Sequence, residues 1–268
     1  MIECLHPGSP GGRARVVLFD FDGTLSLLRA GWVGVMVPMM IEILADLKTG
    51  ESEAELRALV EDYVARLTGK QTIYQMIELA SQIESRGGRP LEPLAYKKMY
   101  HDRLMEKIRH RREALRQGKE SPENYLVPGS RDLLEALKNR GLKLYCASGT
   151  DHAYTVEEAG LLRVTSYFDG GIYGAQDDYK SFSKALLIQK MIRSFECRGD
   201  ELLGFGDGYV EVKNVKDAGG IAVGVATDEP ECRKVDEWKR DRLAQVGADY
   251  IIPNFLCREE LLQTLFPE

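Results

Sequence analysis

Short apolar segments, each about as long as a buried strand, alternate along much of this chain with segments of helical periodicity. The apolar segments cover residues 14–19, 142–147, 202–205, 221–225 and 250–252. Helical patterns lie between most of them, for example SRDLLEALKNRG, in which Ser130 is the expected N-cap. Strands that alternate with helices form a parallel sheet with helices on both faces. The sequence therefore predicts a three-layer α/β fold.

A helical segment of roughly a hundred residues interrupts this alternation directly after the first predicted strand. It covers residues 27–125 and is broken at KTGES, LTGKQ and SRGGRPLEP. We therefore predict an α/β core formed by residues 1–26 and 126–268, with residues 27–125 inserted as an all-helical cap domain. The helical run at residues 96–119 holds nine Lys or Arg against three Asp or Glu. We expect Tyr100, Leu104 and Ile108 to face inward from it.

The composition is that of an ordinary globular protein, with 268 residues, 44% hydrophobic and 29% charged, and a net charge of −6. This charge argues against nucleic acid as the main ligand. The five cysteines are far apart and form no C-x-x-C pair, which favours reduced thiols and a cytoplasmic location. The N-terminal MIECLHPGSPGGRAR has no apolar signal core and is expected to be a frayed leader. The apolar stretch at residues 33–41 is too short to span a membrane, so no membrane partner is expected.

Polar residues follow several of the predicted strands. In an open parallel sheet, ligands bind beyond the carboxyl ends of the strands, so these residues are expected to meet in one crevice. They are Asp20 and Asp22 after the first strand, Ser148, Gly149 and Thr150 after the second, Asp207 with Glu211 after the third, and Lys184 at a helix start. Several carboxylates in one crevice repel each other unless a cation balances them. Mg²⁺ held by hard oxygen ligands, with a phosphate held by Ser and Lys, would provide that balance.

The motif DFDGT, the spaced Ser148 and Lys184, and GDGYVE together resemble the four motifs of the haloacid dehalogenase superfamily, in the same order. The resemblance is to its phosphatase branch with a helical cap between the first two motifs, similar to phosphoglycolate and phosphoserine phosphatases. It implies a Rossmann-like fold, Asp20 as a nucleophile that forms an aspartyl-phosphate, and Asp22 as general acid and then base. It also implies Mg²⁺ bound by Asp20, the backbone carbonyl of Asp22, and Asp207. The implied phosphate contacts are Gly23, Thr24, Ser148, Gly149 and Lys184.

Two assignments within these motifs leave alternatives open. Lys180 and Lys184 both lie where the superfamily has its lysine, and Lys184 is favoured because it begins a periodic helical run. Glu211 stands where a second aspartate is more frequent. It is one methylene longer, so we expect it to act through a water or by orienting Lys184. Asp177 and Asp178 are expected to be solvated loop residues.

An acidic residue at position 22 favours phosphomonoester chemistry, because an oxygen leaving group needs a proton. Phosphatases and phosphomutases of the superfamily both have this pair of aspartates. We expect a phosphatase acting on a small phosphorylated metabolite, since a cap restricts access to the crevice. A phosphomutase is the alternative, and a non-catalytic protein that binds phosphometabolites is a further one. Basic residues of the cap, or Arg29 and Trp32, could contact the substrate. The oligomeric state is left open.

Overall fold

The computed structural model describes residues 2–6, 12–176, 183–194, 198–229 and 231–267. Within these ranges the chain divides into two compact units. The first combines Met1–Ala30 with Arg112–Glu268, and the second is Gly31–Arg111. The expected boundaries after residues 26 and 125 differ from these by four and fourteen residues. Leu28 and Leu115 explain the difference, because both side chains are buried in the hydrophobic core of the first unit.

The first unit contains a sheet of seven strands in the described ranges. They are β1 (Glu3–Cys4), β2 (Val16–Phe19), β3 (Lys143–Asp151), β4 (Gly171–Ala175), β5 (Leu202–Gly206), β6 (Ile221–Val225) and β7 (Tyr250–Ile252). Their order across the sheet is β1-β7-β6-β5-β2-β3-β4, and every pairing is parallel except that of β1 with β7. The predicted α/β class is confirmed, with an antiparallel edge strand in addition.

Ten α-helices lie in the described ranges. The second unit contains α1 (Val33–Ala45), α2 (Glu53–Leu67), α3 (Ile73–Ser85) and most of α4 (Pro93–Arg116). The first unit contains α5 (Ser130–Asn139), α6 (His152–Leu161), α7 (Lys184–Ser194), α8 (Tyr209–Asp217), α9 (Glu237–Gln245) and α10 (Arg258–Leu265). Short 3-10 helices occur at Pro122–Tyr125, Thr165–Tyr167, Gly199–Glu201 and Phe255–Cys257.

The two faces of the sheet are covered by different sets of helices. Val17 and Phe19 of β2 pack into a cluster that contains apolar residues of α5, α6 and α10. Val16 and Leu18 pack into another cluster, with apolar residues of α7, α8 and α9. Alternate residues of a strand point to opposite faces, so a strand that is apolar throughout is buried on both sides. The predicted three layers are thus present.

Several local predictions are corrected. The segment expected to fray at the N-terminus contains β1, whose Glu3 and Cys4 pair with Ile251 and Tyr250 of β7. The strand β4 was not predicted, because its sequence GIYGA is short and contains two glycines. Ser130 is the first residue of α5 and not its N-cap; Gly129 occupies the N-cap with a φ of 83°.

The second unit has its own hydrophobic core, formed by apolar residues of all four of its helices. The inward-facing residues expected in the basic helix α4 are confirmed: Tyr100, Leu104 and Ile108 are all buried in this core. The helix α2 starts with a capping box, in which the Ser52 hydroxyl accepts from the Glu55 amide and the Glu55 carboxylate accepts from the Ser52 amide. Among the described residues, no helix combines the length and apolarity that a membrane crossing requires.

Candidate active site

The predicted site residues lie at the carboxyl ends of adjacent strands in the first unit. Asp20 directly follows β2 and Asp207 directly follows β5, and these two strands pair in parallel. Ser148 and Gly149 were expected after a strand, but β3 continues through them to Asp151. Lys184 is the first residue of α7, and Glu211 lies in the first turn of α8. Lys180, Asp177 and Asp178 fall outside the described residues.

Asp20 is buried, and its carboxylate contacts the ammonium of Lys184. The Lys184 Nζ donates to Asp20 Oδ1 at 2.7 Å, and the same Nζ forms an ion pair with Glu211. All three side chains are at most 7% exposed. Burial raises the pKa of the Asp20 carboxyl, the Lys184 charge opposes this rise, and the nearby Asp207 carboxylate adds to it. Of the two roles open to Glu211, the contact favours the one that orients Lys184.

Asp22 has a different environment, with side-chain hydroxyls on one oxygen. Ser148 Oγ donates to Asp22 Oδ2 at 3.0 Å, and Thr150 Oγ1 donates to the same oxygen at 2.9 Å. The other oxygen, Oδ1, is buried and has no hydrogen-bond partner among the described residues. The Asp22 side chain as a whole is 25% exposed. One oxygen is therefore held in place by two hydroxyls, and the other is buried without a hydrogen bond.

A second cation, Arg29, lies beside Asp22 without a hydrogen bond to it. The Arg29 Nε is 3.8 Å from Asp22 Oδ1. The guanidinium donates from Nε and Nη2 to the two oxygens of Glu158, at 2.9 and 2.7 Å, and both side chains are buried. Burial raises the pKa of Glu158, and the charge of Arg29 opposes that rise. The guanidinium of Arg29, a possible substrate contact in the sequence analysis, is thus held in a buried, bidentate ion pair.

Gly23 and Thr24 hold Asp207 in place. The backbone amide of Asp207 donates to Thr24 Oγ1 at 2.9 Å, and the same hydroxyl lies 3.4 Å from Asp207 Oδ1. Gly23 has a φ of 78°, and a Cβ there would lie 2.2 Å from Asp207 Oδ2. Only glycine fits at this position. The Gly23 amide donates to the Ser26 carbonyl at 2.9 Å, so this amide and the Thr24 hydroxyl bond within the protein, where the sequence analysis expected them to contact phosphate.

Three contacts of the site were not predicted by the sequence analysis. Thr150 was expected in the crevice, but its hydrogen bond to Asp22 was not, although the period of two that places it on the same face of β3 as Ser148 could have indicated it. The pairing of Arg29 with Glu158 joins residues 129 positions apart, and no local pattern indicates it. Lys239, on α9, lies 3.1 Å from Asp207 Oδ2, and it too is far from the motifs in sequence.

The donors present fit a hard cation such as Mg²⁺. The expected ligands are the carboxylates of Asp20 and Asp207 and the backbone carbonyl of Asp22, and Mg²⁺ is commonly held by one or two carboxylates with water and substrate phosphate. Within the described part of the chain, no group of three or more His, Cys, Asp or Glu side chains is arranged to hold a metal. The expected Mg²⁺ ligands include only two carboxylate side chains, so this site does not require three such side chains. Burial raises the pKa of Asp20, the neighbouring Asp207 and Asp22 carboxylates add to the rise, and a bound cation would offset it.

Comparison with known proteins assigns the chain to a family. The family model of haloacid dehalogenase-like hydrolases matches residues 14–219, so the chain belongs to that family. The resemblance identified from the motifs is thereby confirmed. A search of curated proteins finds no match.

Several solved structures have the same fold. One is a predicted phosphoglycolate phosphatase from Haemophilus somnus, with a TM-score of 0.61, 16% identity, and coverage of 94% of this chain and 99% of that one. A phosphonoacetaldehyde hydrolase-like protein from Oleispira antarctica has a TM-score of 0.62 at 12% identity, covering 97% and 96%. A β-phosphoglucomutase from Clostridium difficile has a TM-score of 0.51 at 15% identity, covering 87% and 98%. At such identities the similarity shows the fold alone.

Proposed function

We propose that this protein is a Mg²⁺-dependent phosphatase that hydrolyses a small phosphomonoester through an aspartyl-phosphate on Asp20. The observation that carries the proposal is the different surroundings of the two aspartates. Asp20 is paired with a buried ammonium, whereas Asp22 has one oxygen held by two hydroxyls and the other without a partner. Lys184 thus favours the ionised form of Asp20 against the opposing effect of burial, which suits Asp20 to attack, and Asp22 is suited to transfer a proton.

Asp20 acts as the nucleophile. Its carboxylate oxygen bonds to phosphorus while the ester P–O bond breaks, which leaves the phosphoryl group on Asp20. Lys184 favours the ionised form of Asp20, and the ammonium adds a positive charge where the negative charge of the phosphoryl group accumulates. Glu211 fixes Lys184 from its other side.

Asp22 transfers the proton in both half-reactions. It gives its proton to the departing ester oxygen in the first. In the second, it takes a proton from the water that attacks the phosphorus of the aspartyl-phosphate, which releases phosphate and restores Asp20. Asp22 is suited to this transfer because Ser148 and Thr150 fix its orientation through Oδ2, while its side chain remains 25% exposed.

The remaining expected site residues complete this proposal. When bound, Mg²⁺ would supply positive charge that offsets the repulsion between Asp20 and the phosphate dianion. Asp20, the backbone carbonyl of Asp22, and Asp207 would hold it. Ser148, Gly149 and Lys184 are proposed to contact the substrate phosphate. The helical domain inserted after Asp22 is proposed to select among small phosphorylated metabolites.

The proposal is tested by phosphate release from a panel of small phosphomonoesters and p-nitrophenyl phosphate, with Mg²⁺ and then in excess chelator. We expect release with Mg²⁺ and loss of release in chelator, recovered when Mg²⁺ is restored. Full activity in chelator after dialysis would contradict the metal role. An isomerised sugar phosphate with little free phosphate would identify a phosphomutase instead.

We further propose that the protein works in the cytoplasm. The cysteines in the described ranges, Cys4, Cys146, Cys232 and Cys257, are free thiols, which suits a reducing compartment. Cell fractionation with an antibody to the protein would test this location, and recovery from an oxidising compartment would contradict it.

A further inference from the structure

Lys239 is a cation held next to Asp207 in the first unit. Its Nζ lies 3.1 Å from Asp207 Oδ2 and 3.0 Å from Glu229 Oε1, and its side chain is 15% exposed. Burial lowers the pKa of the ammonium, but Asp207 and Glu229 outweigh that effect and raise the pKa above its usual value. Lys239 therefore carries a full positive charge at neutral pH.

The backbone that carries Lys239 is fixed at two points. The Asp236 carboxylate accepts a hydrogen bond from the Lys239 amide at 2.9 Å, which caps the first turn of α9. The Asp236 amide donates to the carbonyl of Ala226, the residue directly after β6, at 2.8 Å. The start of α9 is thus attached to the same end of the sheet from which Asp207 projects. The contact of Lys239 with Asp207 is therefore part of the fold and not a chance approach of a surface side chain.

The ammonium and a metal ion require the same carboxylate. Asp207 is one of only two carboxylate side chains in the proposed Mg²⁺ ligand set. A lysine at hydrogen-bond distance neutralises part of its charge, and two cations attached to one carboxylate repel each other. Glu229 shares the ammonium, so it reduces the charge that Lys239 presents to Asp207.

We propose that Lys239 is a resident cation that competes with Mg²⁺ for Asp207, and that Glu229 sets the strength of this competition. The inference rests on the metal site of the proposed function. It adds a residue that determines metal affinity, located outside the family motifs. Half-occupancy of the site then requires a higher free Mg²⁺ concentration than a site with two unopposed carboxylates would require.

Two substitutions are expected to change Mg²⁺ affinity in opposite directions. Lys239→Gln removes the competing charge, so Mg²⁺ should bind more tightly, by about tenfold on Coulomb's law for a cation at this range. Glu229→Gln leaves the ammonium with Asp207 alone, so Mg²⁺ should bind more weakly, by roughly threefold to tenfold. Lys239→Arg keeps the charge and is the matched control, expected to bind within about twofold of the unsubstituted protein.

The measurement is calorimetric titration of the full-length, metal-stripped protein with MgCl₂, without substrate, so the result does not depend on turnover. Thermal unfolding in chelator verifies that each variant is folded. If Lys239 merely supported the Asp207 side chain, Lys239→Gln would bind Mg²⁺ more weakly. If the unsubstituted protein binds Mg²⁺ and Lys239→Gln binds it equally or more weakly, the role of Lys239 is overturned and the proposed metal site is retained. Absence of Mg²⁺ binding by the unsubstituted protein overturns the proposed metal site, and this inference with it.

Discussion

The Lys184 side and the Arg29 side of the candidate active site are built on the same plan but differ in how closely the cation approaches. On each side an aspartate faces a cation, and that cation also pairs with a buried glutamate. Lys184 pairs with Glu211, and Arg29 with Glu158. Lys184 lies within hydrogen-bond distance of Asp20, at 2.7 Å, whereas Arg29 stays 3.8 Å from Asp22.

This difference in distance corresponds to a difference in chemistry. A charged hydrogen bond of 2.7 Å stabilises the carboxylate of Asp20 as an anion. The Arg29 Nε hydrogen is already donated to Glu158, so Arg29 acts on Asp22 only through space. Asp22 Oδ1 therefore accepts no hydrogen bond from Arg29. The comparison teaches that a glutamate limits the effect of a cation on the aspartate only where it takes the donor facing that aspartate, as Glu158 does with Arg29 Nε.

The largest expected effect follows from removing the carboxylate charge of Asp20, on the Lys184 side. Asp20→Asn should lower kcat by on the order of 10³ or more, because a neutral amide cannot attack phosphorus. The fold should be unchanged by circular dichroism, since asparagine has nearly the same volume. Turnover above a few per cent of the unsubstituted rate would eliminate the covalent mechanism.

The next largest effect concerns the Arg29 side. Asp22→Asn should slow hydrolysis of alkyl phosphates by on the order of 10² to 10⁴, the usual range for acid–base assistance. With p-nitrophenyl phosphate the loss should be smaller, because this leaving group departs without a proton. Steady-state kinetics on both substrates measures the difference. Equal losses on the two would contradict the role of Asp22 as an acid.

Much of this arrangement could be read from sequence, because Asp20 and Asp207 each lie within two residues of the end of an apolar run. Asp20 and Asp207 were located by the strands that precede them. Pairs of residues that are far apart in the sequence could not be found in this way. Arg29 and Glu158 are 129 residues apart, and neither is part of a motif. The edge strand β1 was missed because two residues are too few to show a period.

A smaller effect, on stability, tests whether the ion pair of Arg29 with Glu158 stabilises the fold. Glu158→Gln removes the hydrogen-bonded counter-charge of the buried Arg29, so the free energy of unfolding should fall by about 3 kcal/mol. The adjacent Glu157 is the matched control, since it lies on the same helix, pairs with Arg112 and Arg116, and is 38% exposed. Glu157→Gln should cost less than about 1 kcal/mol. Urea unfolding of both variants compares them, and equal costs would contradict the structural importance of the Arg29–Glu158 pair.

The smallest expected effect separates the two hydroxyls that hold Asp22 Oδ2. Thr150→Val is close in volume and removes one hydrogen bond to Asp22, worth about 1 kcal/mol, so kcat on alkyl phosphates should fall roughly fivefold. Ser148→Ala should cost more, because Ser148 is also proposed to contact the substrate phosphate and its loss should raise KM as well. Thr150→Val should leave KM nearly unchanged, since it acts on the substrate only through Asp22. If Thr150→Val raised KM as much as Ser148→Ala, Thr150 would contact the substrate directly, and the second hydroxyl on Asp22 would no longer be a positioning group.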